Sequence, residues 1–122
     1  MTGKKRMLVA EDDVLIHQMY TDIFEDEFEI IHAYDGAETL LLAGEQKPDI
    51  IILDITMPIL DGRAVCKMIK GNPGTENIKI VMVTGKDKQS DRLLGFELGA
   101  DDYVEKPVSL EYLARVVSKL TR

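Results

Sequence analysis

Acidic side chains directly follow two short apolar segments of this sequence. Glu11, Asp12 and Asp13 come after one segment, and Asp54 comes after the other. If both segments are parallel strands, their carboxyl ends meet at one edge of the sheet, which is where ligands bind in open α/β sheets. Carboxylates gathered there repel one another unless a cation or raised pKa values relieve the charge. Oxygen ligands alone favour magnesium over zinc, so these acids predict a magnesium site.

A hydroxyl group and an ammonium group are predicted at the same edge. Thr84 closes a third apolar segment, and Lys106 follows a fourth strand-like segment. A carboxylate nucleophile, a metal ion, a hydrogen-bond donor and a fixed positive charge are the groups that the transfer of a phosphoryl group requires. The combination therefore predicts phosphoryl transfer to a carboxylate, with Asp54 as the acceptor.

Each of these residues has an ordinary structural explanation when it is taken alone. Acids at helix starts commonly cap the helix, which is the interpretation we favour for Asp13 and Asp61. A single lysine such as Lys106 is more often solvated, and a single threonine such as Thr84 is more often a turn residue. The functional interpretation depends on the four strand ends occurring together.

Short strand-like segments alternate with longer segments of helical periodicity, so five βα units are predicted, forming a parallel sheet covered on both faces. The predicted strands are residues 7–10, 29–33, 50–53, 80–83 and 102–105. The apolar residues with helical spacing are Ile16, Met19 and Ile23 in the first helix, Ala37, Leu40 and Leu41 in the second, Ala64, Val65, Met68 and Ile69 in the third, Leu93, Leu94 and Phe96 in the fourth, and Leu110, Leu113, Val117 and Leu120 in the fifth, for which Ser109 is the predicted N-cap.

The composition fits one globular domain over residues 1–122, with 45% hydrophobic and 30% charged residues. The net charge of −7 argues against direct contact with nucleic acid. The apolar segments are too short to span a bilayer, and there is no signal-peptide core, so a cytoplasmic location is expected. The single cysteine, Cys66, is expected in the core together with Met68, whereas His17 and His32 receive no role.

Four segments together resemble the receiver domain of bacterial two-component response regulators. These segments are MLVAEDD, DITMPILDG, VMVTG and DDYVEKP, and the resemblance covers essentially the whole chain. It implies a flavodoxin-like (βα)5 fold, that is, a doubly wound five-stranded parallel sheet with strand order 2-1-3-4-5. It also implies a signalling domain that catalyses only its own phosphorylation and dephosphorylation, rather than an enzyme with other substrates.

The resemblance assigns a role to each residue of the predicted metal site. Asp54 matches the phosphorylated aspartate and is also a metal ligand. Asp12 matches a direct ligand of magnesium, which manganese could replace, and Glu11 matches an acid that acts through water. The backbone carbonyl of Thr56 would complete the protein ligands, with the Thr56 side chain pointing elsewhere.

The resemblance also assigns the residues that respond to phosphorylation. Lys106 would pair with Asp54 and then with the phosphoryl oxygens, and Pro107 implies a cis bond after Lys106. Thr84 matches a switch hydroxyl whose movement would free space for Tyr103 to turn inward. The expected donor is a sensor histidine kinase or a histidine phosphotransferase. An output domain or target protein would bind the surface formed by the fourth helix, the fifth strand and the fifth helix.

Three alternatives remain open at this stage. The chain could be a pseudo-receiver that binds partners without phosphorylation, although every chemical role is filled. A flavodoxin-like electron carrier should have a glycine- and hydroxyl-rich phosphate loop where this sequence has EDDVLI. A phosphatase with an aspartyl nucleophile would have a second aspartate where Thr56 stands. Whether the chain acts alone or belongs to a longer regulator, and with which output, is not determined.

Overall fold

The structure is a computed structural model that describes residues 3–85 and 98–122. The helix predicted through Leu93, Leu94 and Phe96 lies outside the described residues. The elements in chain order are β1 (Lys5–Ala10), α1 (Val14–Phe24), β2 (Phe28–Ala33), α2 (Gly36–Gln46), β3 (Ile50–Asp54), α3 (Gly62–Lys70), β4 (Lys79–Thr84), β5 (Asp102–Glu105) and α4 (Leu110–Leu120).

The five strands form one parallel sheet in the order β2-β1-β3-β4-β5. This confirms the predicted fold class and strand order. All five residues of β3 are buried, as expected for the central strand of a sheet covered on both faces. The register places Ala10 beside Leu53 and Thr84 beside Glu105, so the carboxyl ends of the strands come together at one edge.

Successive residues of the strands supply two separate core layers, because side chains alternate between the faces of a sheet. Leu8, Ile51 and Met82 belong to the layer that packs with α3 residues such as Val65. The layer on the other face contains Met7, Val9, Ile50, Ile52 and Val81, together with Tyr20 and Phe24 of α1 and Leu113 of α4. The strands are thus held from both sides, which fixes the edge that carries the acids.

The buried face of α1 differs from the predicted face. The sequence predicted Ile16, Met19 and Ile23 toward the core, but Met19 and Ile23 are 39% and 43% exposed. The helix instead buries His17, Tyr20 and Phe24. The larger rings fill the space above β1 and β2, so packing volume decides the orientation of the helix rather than the hydrophobicity of its residues.

Two smaller expectations have opposite outcomes. Cys66 is fully buried, as expected, and burial raises the pKa of its thiol to about 11. The assignment of Met68 to the core is wrong, because Met68 is 53% exposed on the outer side of α3. Among the described residues, no helix has both the length and the apolar character needed to cross a membrane.

Candidate functional site

Four strand ends build the candidate site. Glu11 and Asp12 follow β1, Asp54 ends β3, Thr84 ends β4, and Lys106 follows β5. Backbone hydrogen bonds continue the sheet just beyond the strands, since Lys106 N–H donates to the Thr84 carbonyl at 2.7 Å. The structure therefore brings Glu11, Asp12, Asp54 and Lys106 together, with Thr84 at the end of the strand between Asp54 and Lys106.

Three carboxylates form a cluster at this edge. One oxygen from each of Glu11, Asp12 and Asp54 lies within 4.8 Å of the other two. Glu11 and Asp54 are only 6% and 3% exposed, whereas Asp12 is exposed to solvent. Burial raises the pKa of Glu11 to about 8, and the hydrogen bond and the charge of Asp54 act in the same direction. Glu11 therefore holds its proton to a higher pH than an ordinary glutamate does.

Asp54 is the ionised member of this pair. Burial acts to raise the pKa of Asp54, but hydrogen bonds from Glu11, the Thr56 backbone N–H and Lys106 outweigh it and lower the pKa overall. Lys106 Nζ donates to Asp54 Oδ2 at 2.9 Å, and Thr56 N–H donates to Oδ1 at 2.9 Å. Asp54 is thus a buried carboxylate with a negative charge, which is the form required of a nucleophile.

The Thr56 side chain corrects one expectation. It was expected to point away from the site, but its hydroxyl oxygen lies 3.1 Å from Asp54 Oδ1, to which it donates. Thr56 lies two residues after Asp54, where the chain turns back. Its backbone N–H and its hydroxyl group therefore both donate to the same oxygen, Asp54 Oδ1. The assignment of the Thr56 carbonyl as a metal ligand stays a prediction.

The donor set fits a hard divalent cation. All three side chains offer oxygen atoms, and magnesium prefers a few carboxylates with the other positions left to water or phosphate. Burial and the interactions with Asp54 raise the pKa of Glu11, and the charge of Lys106 offsets them only in part. A divalent cation would relieve this repulsion and favour ionisation of both acids.

Lys106 supplies the fixed positive charge of the site. Burial works against its charge, but the hydrogen bond and the charge of Asp54 raise its pKa overall, with smaller effects from Glu11 and Asp12. Its side chain is 44% exposed, so the ammonium group reaches Asp54 from the solvent side. The peptide bond between Lys106 and Pro107 is cis.

The two predicted switch residues are both buried. Thr84 is fully buried, and its hydroxyl oxygen has no hydrogen-bond partner among the residues that the structure describes. Buried hydroxyl groups rarely stay unpaired, so this donor is available to a group that enters the site. Tyr103 is only 3% exposed, and the order of movements expected from the sequence stays a prediction.

The acids that were interpreted as helix caps are confirmed in that role. Asp13 caps α1 by accepting the Leu15 N–H at 2.8 Å. Asp61 caps α3 by accepting the N–H groups of Arg63 and Ala64. Neither acid belongs to the carboxylate cluster.

Sequence reasoning assigned no role to a pair of histidines that the structure places beside the site. His17 Nδ1 lies 2.7 Å from His32 Nδ1, and His17 Nε2 lies 2.6 Å from the Glu11 carbonyl oxygen. Burial lowers the pKa of His32, and the neighbouring His17 acts in the same direction. The helical pattern hid this pair, because a core face made of Ile16, Met19 and Ile23 would turn His17 away from the sheet.

Comparison with known proteins identifies the family. Residues 7–118 match the response regulator receiver domain family. The chain is 39% identical over 121 residues to the alkaline phosphatase synthesis transcriptional regulatory protein PhoP of Bacillus subtilis, covering 98% of this chain and 50% of PhoP. It is 36% identical over 118 residues to the response regulator PleD of Caulobacter vibrioides, covering 96% of this chain and 26% of PleD.

Solved structures agree with this assignment. A putative response regulator from Chloroflexus aurantiacus superposes with a TM-score of 0.91 at 29% identity, covering 97% of this chain and 98% of that one. Chemotaxis protein CheY4 of Vibrio cholerae superposes with a TM-score of 0.88 at 26% identity, covering 97% of this chain and 99% of the other. The chain spans 50% of the length of PhoP and 26% of the length of PleD, but each match extends over nearly all of this chain. This chain therefore belongs to the response regulator receiver domain family of two-component signal transduction.

Proposed function

We propose that residues 1–122 form a single receiver domain in which Asp54 accepts a phosphoryl group in a magnesium-dependent reaction. The donor is a phosphohistidine on a sensor histidine kinase or a histidine phosphotransferase. The observation that carries this proposal is the position of Asp54, a buried carboxylate that lies 2.9 Å from Lys106 Nζ and within the cluster formed with Glu11 and Asp12.

Asp12 and Asp54 would hold magnesium directly, with Glu11 acting through water and the Thr56 carbonyl completing the protein ligands. When bound, magnesium supplies positive charge that offsets the repulsion between the carboxylates and the phosphoryl oxygens. Manganese has the same preference for oxygen ligands and would serve in its place.

The transfer itself exchanges one bond for another. A carboxylate oxygen of Asp54 forms a bond to phosphorus while the bond from phosphorus to the donor imidazole nitrogen breaks, and the nitrogen keeps the electron pair. Lys106 neutralises charge on the phosphoryl oxygens as the attacking Asp54 oxygen and the leaving nitrogen align with phosphorus. The domain then acts as a phosphoacceptor and catalyses only its own phosphorylation and dephosphorylation.

The Thr84 hydroxyl, which has no partner within residues 3–85 and 98–122, supports the proposed switch. A phosphoryl group on Asp54 adds charge and acceptor oxygens to which Thr84 can donate a strong hydrogen bond. The movement of Thr84 toward the phosphoryl group would favour the packing in which the Tyr103 ring, buried in this structure, is turned inward. The surface that responds includes β5 and α4, and an output domain or target protein would bind there.

The test is incubation of the purified chain with acetyl phosphate, with and without magnesium, followed by intact-mass measurement. The wild type should gain one phosphoryl group only when magnesium is present. Asp54→Asn should gain none, whereas Asp61→Asn, a nearby acid that caps α3, should behave as the wild type. A mass gain that survives in Asp54→Asn, or no gain in the wild type, contradicts the proposal.

A second pair of variants tests the metal site. Asp12→Ala should lose the dependence on magnesium, because it removes the exposed carboxylate of the cluster. Asp13→Asn is the matched control, since asparagine keeps the helix cap and Asp13 lies outside the cluster. Equal magnesium dependence in Asp12→Ala and Asp13→Asn would exclude the assigned ligands.

A further inference from the structure

The histidine pair beside the site has contacts that ordinary packing does not require. His17 is 3% exposed on the inner face of α1, and His32 lies in β2. The two Nδ1 atoms are 2.7 Å apart, and the other ring nitrogen of His17 is 2.6 Å from the Glu11 carbonyl oxygen. The Tyr34 ring covers His17, with 4.2 Å between ring centroids. The pair is therefore shielded on one side and bonded to the backbone of the site on the other.

When both rings are neutral, these contacts fix the positions of their hydrogen atoms. A carbonyl oxygen can only accept, so His17 Nε2 must carry the hydrogen, which leaves His17 Nδ1 as an acceptor. The contact between the two Nδ1 atoms then requires that His32 Nδ1 carries its hydrogen. His32 thus selects the tautomer of His17 that can bind Glu11, as the partner of one ring nitrogen determines the other.

The Glu11 backbone is consequently held at both of its polar groups. Its N–H donates to the Ala33 carbonyl at 3.1 Å, and its carbonyl accepts from His17. The peptide that follows Glu11 is planar, so fixing its carbonyl oxygen also fixes the plane that leads into Asp12. This single peptide links Glu11 and Asp12, two of the three acids of the candidate metal site.

We propose that His17 and His32 are positioning residues that orient the peptide between Glu11 and Asp12, so that both carboxylates face Asp54. This inference rests on the proposed function, because it assigns the orientation a role in holding magnesium. The histidines themselves touch neither the metal nor the phosphoryl group. They act as outer partners of the ligand-bearing backbone, and loss of such partners typically weakens metal binding about 10- to 100-fold.

Two pairs of variants separate hydrogen bonding from packing. His32→Phe keeps a ring of similar size but removes the donor, whereas His32→Asn places an amide N–H near the position of Nδ1. His17→Leu removes the donor to Glu11, whereas His17→Gln places an amide N–H near the position of Nε2. If the histidines only fill space, each amide variant should bind magnesium no more tightly than its apolar counterpart.

The first measurement is magnesium affinity by isothermal titration calorimetry on folded protein, with folding checked by circular dichroism. His32→Phe and His17→Leu should bind magnesium about tenfold more weakly than the wild type, and the two amide variants should recover most of the loss. If the wild type binds magnesium and His32→Phe binds it equally well, the positioning role is wrong while the proposed function stands. If the wild type does not bind magnesium, both fail.

The second measurement does not depend on magnesium. Imidazole nitrogen shifts from ¹⁵N NMR of the metal-free wild type should show hydrogen on His17 Nε2 and on His32 Nδ1 near neutral pH. In His32→Phe, the backbone amide resonance of Asp12 should shift or broaden as the His17 tautomer becomes free. The opposite tautomers in the wild type would overturn the inference, even if one of the variants fails to fold.

Discussion

Lys106 Nζ lies 2.9 Å from Asp54 Oδ2, and this contact joins the ends of β5 and β3 across β4, which lies between them. The two residues are 52 positions apart in the sequence. The Asp54 side chain is 4% exposed, so Lys106 compensates a charge that burial alone would disfavour.

Replacing Lys106 with alanine should slow phosphorylation of Asp54 about 100-fold, because the charge on the phosphoryl oxygens then loses its fixed partner. The rate is measured with acetyl phosphate at saturating magnesium. Lys70→Ala is the matched control, since Lys70 forms its own ion pair with Asp101 at 3.0 Å, outside the site. Similar rates in both variants would mean that Lys106 acts only as a structural ion-pair partner.

Replacing Thr84 with valine should stabilise the unphosphorylated domain by about 1 kcal/mol, because it removes a buried hydroxyl that lacks a partner among the described residues. Thr39→Val is the control, since Thr39 is equally buried but its hydroxyl donates to the Asp35 carbonyl at 2.8 Å. The free energy of unfolding of Thr39→Val should fall by about 1 kcal/mol. Urea denaturation measures both changes, and destabilisation of Thr84→Val would show that its hydroxyl is already satisfied.

Replacing Gly36 with alanine should destabilise the domain by about 1 to 3 kcal/mol, because its new methyl group would overlap the backbone of Leu60. The Leu60 Cβ would lie only 2.6 Å from the added carbon. Gly44→Ala in the same helix is the control, since nothing lies within 4 Å of the added carbon there. It should stabilise the helix by up to about 1 kcal/mol, as thermal unfolding would show.

The stability of the wild type should fall relative to His32→Asn as the pH decreases. Burial and the neighbouring His17 lower the pKa of His32 in the folded state, so the unfolded chain binds a proton more readily. The contribution is present above the unfolded pKa of about 6.5 and is lost as the pH falls through the folded pKa.

Urea denaturation of both proteins between about pH 7 and pH 5 measures this difference. Asparagine does not titrate, and the titratable groups that lie away from His32 are common to both proteins, so their effects cancel to a first approximation. A constant difference across this range would show that folding leaves the pKa of His32 unchanged.

Much of the fold and most of the candidate site could be predicted from the sequence. The apolar strands Ile50–Asp54 and Lys79–Thr84 are recognisable because doubly buried strands are continuous apolar runs. Once strands are parallel, their carboxyl ends must share an edge, so Asp54 and Thr84 were expected at the same edge of the sheet. The helix caps Asp13 and Asp61 could also be predicted, because capping is a local interaction.

The sequence by itself determined the order of strands and helices and the chemistry of the strand ends, since both follow from short-range patterns. Only the tertiary structure decided which side of α1 faces the sheet, and so brought His17 to the Glu11 carbonyl. It also decided that Thr84 is buried without a partner in the described chain. These outcomes depend on how side chains from distant segments fill a shared volume, and no local pattern encodes that fit.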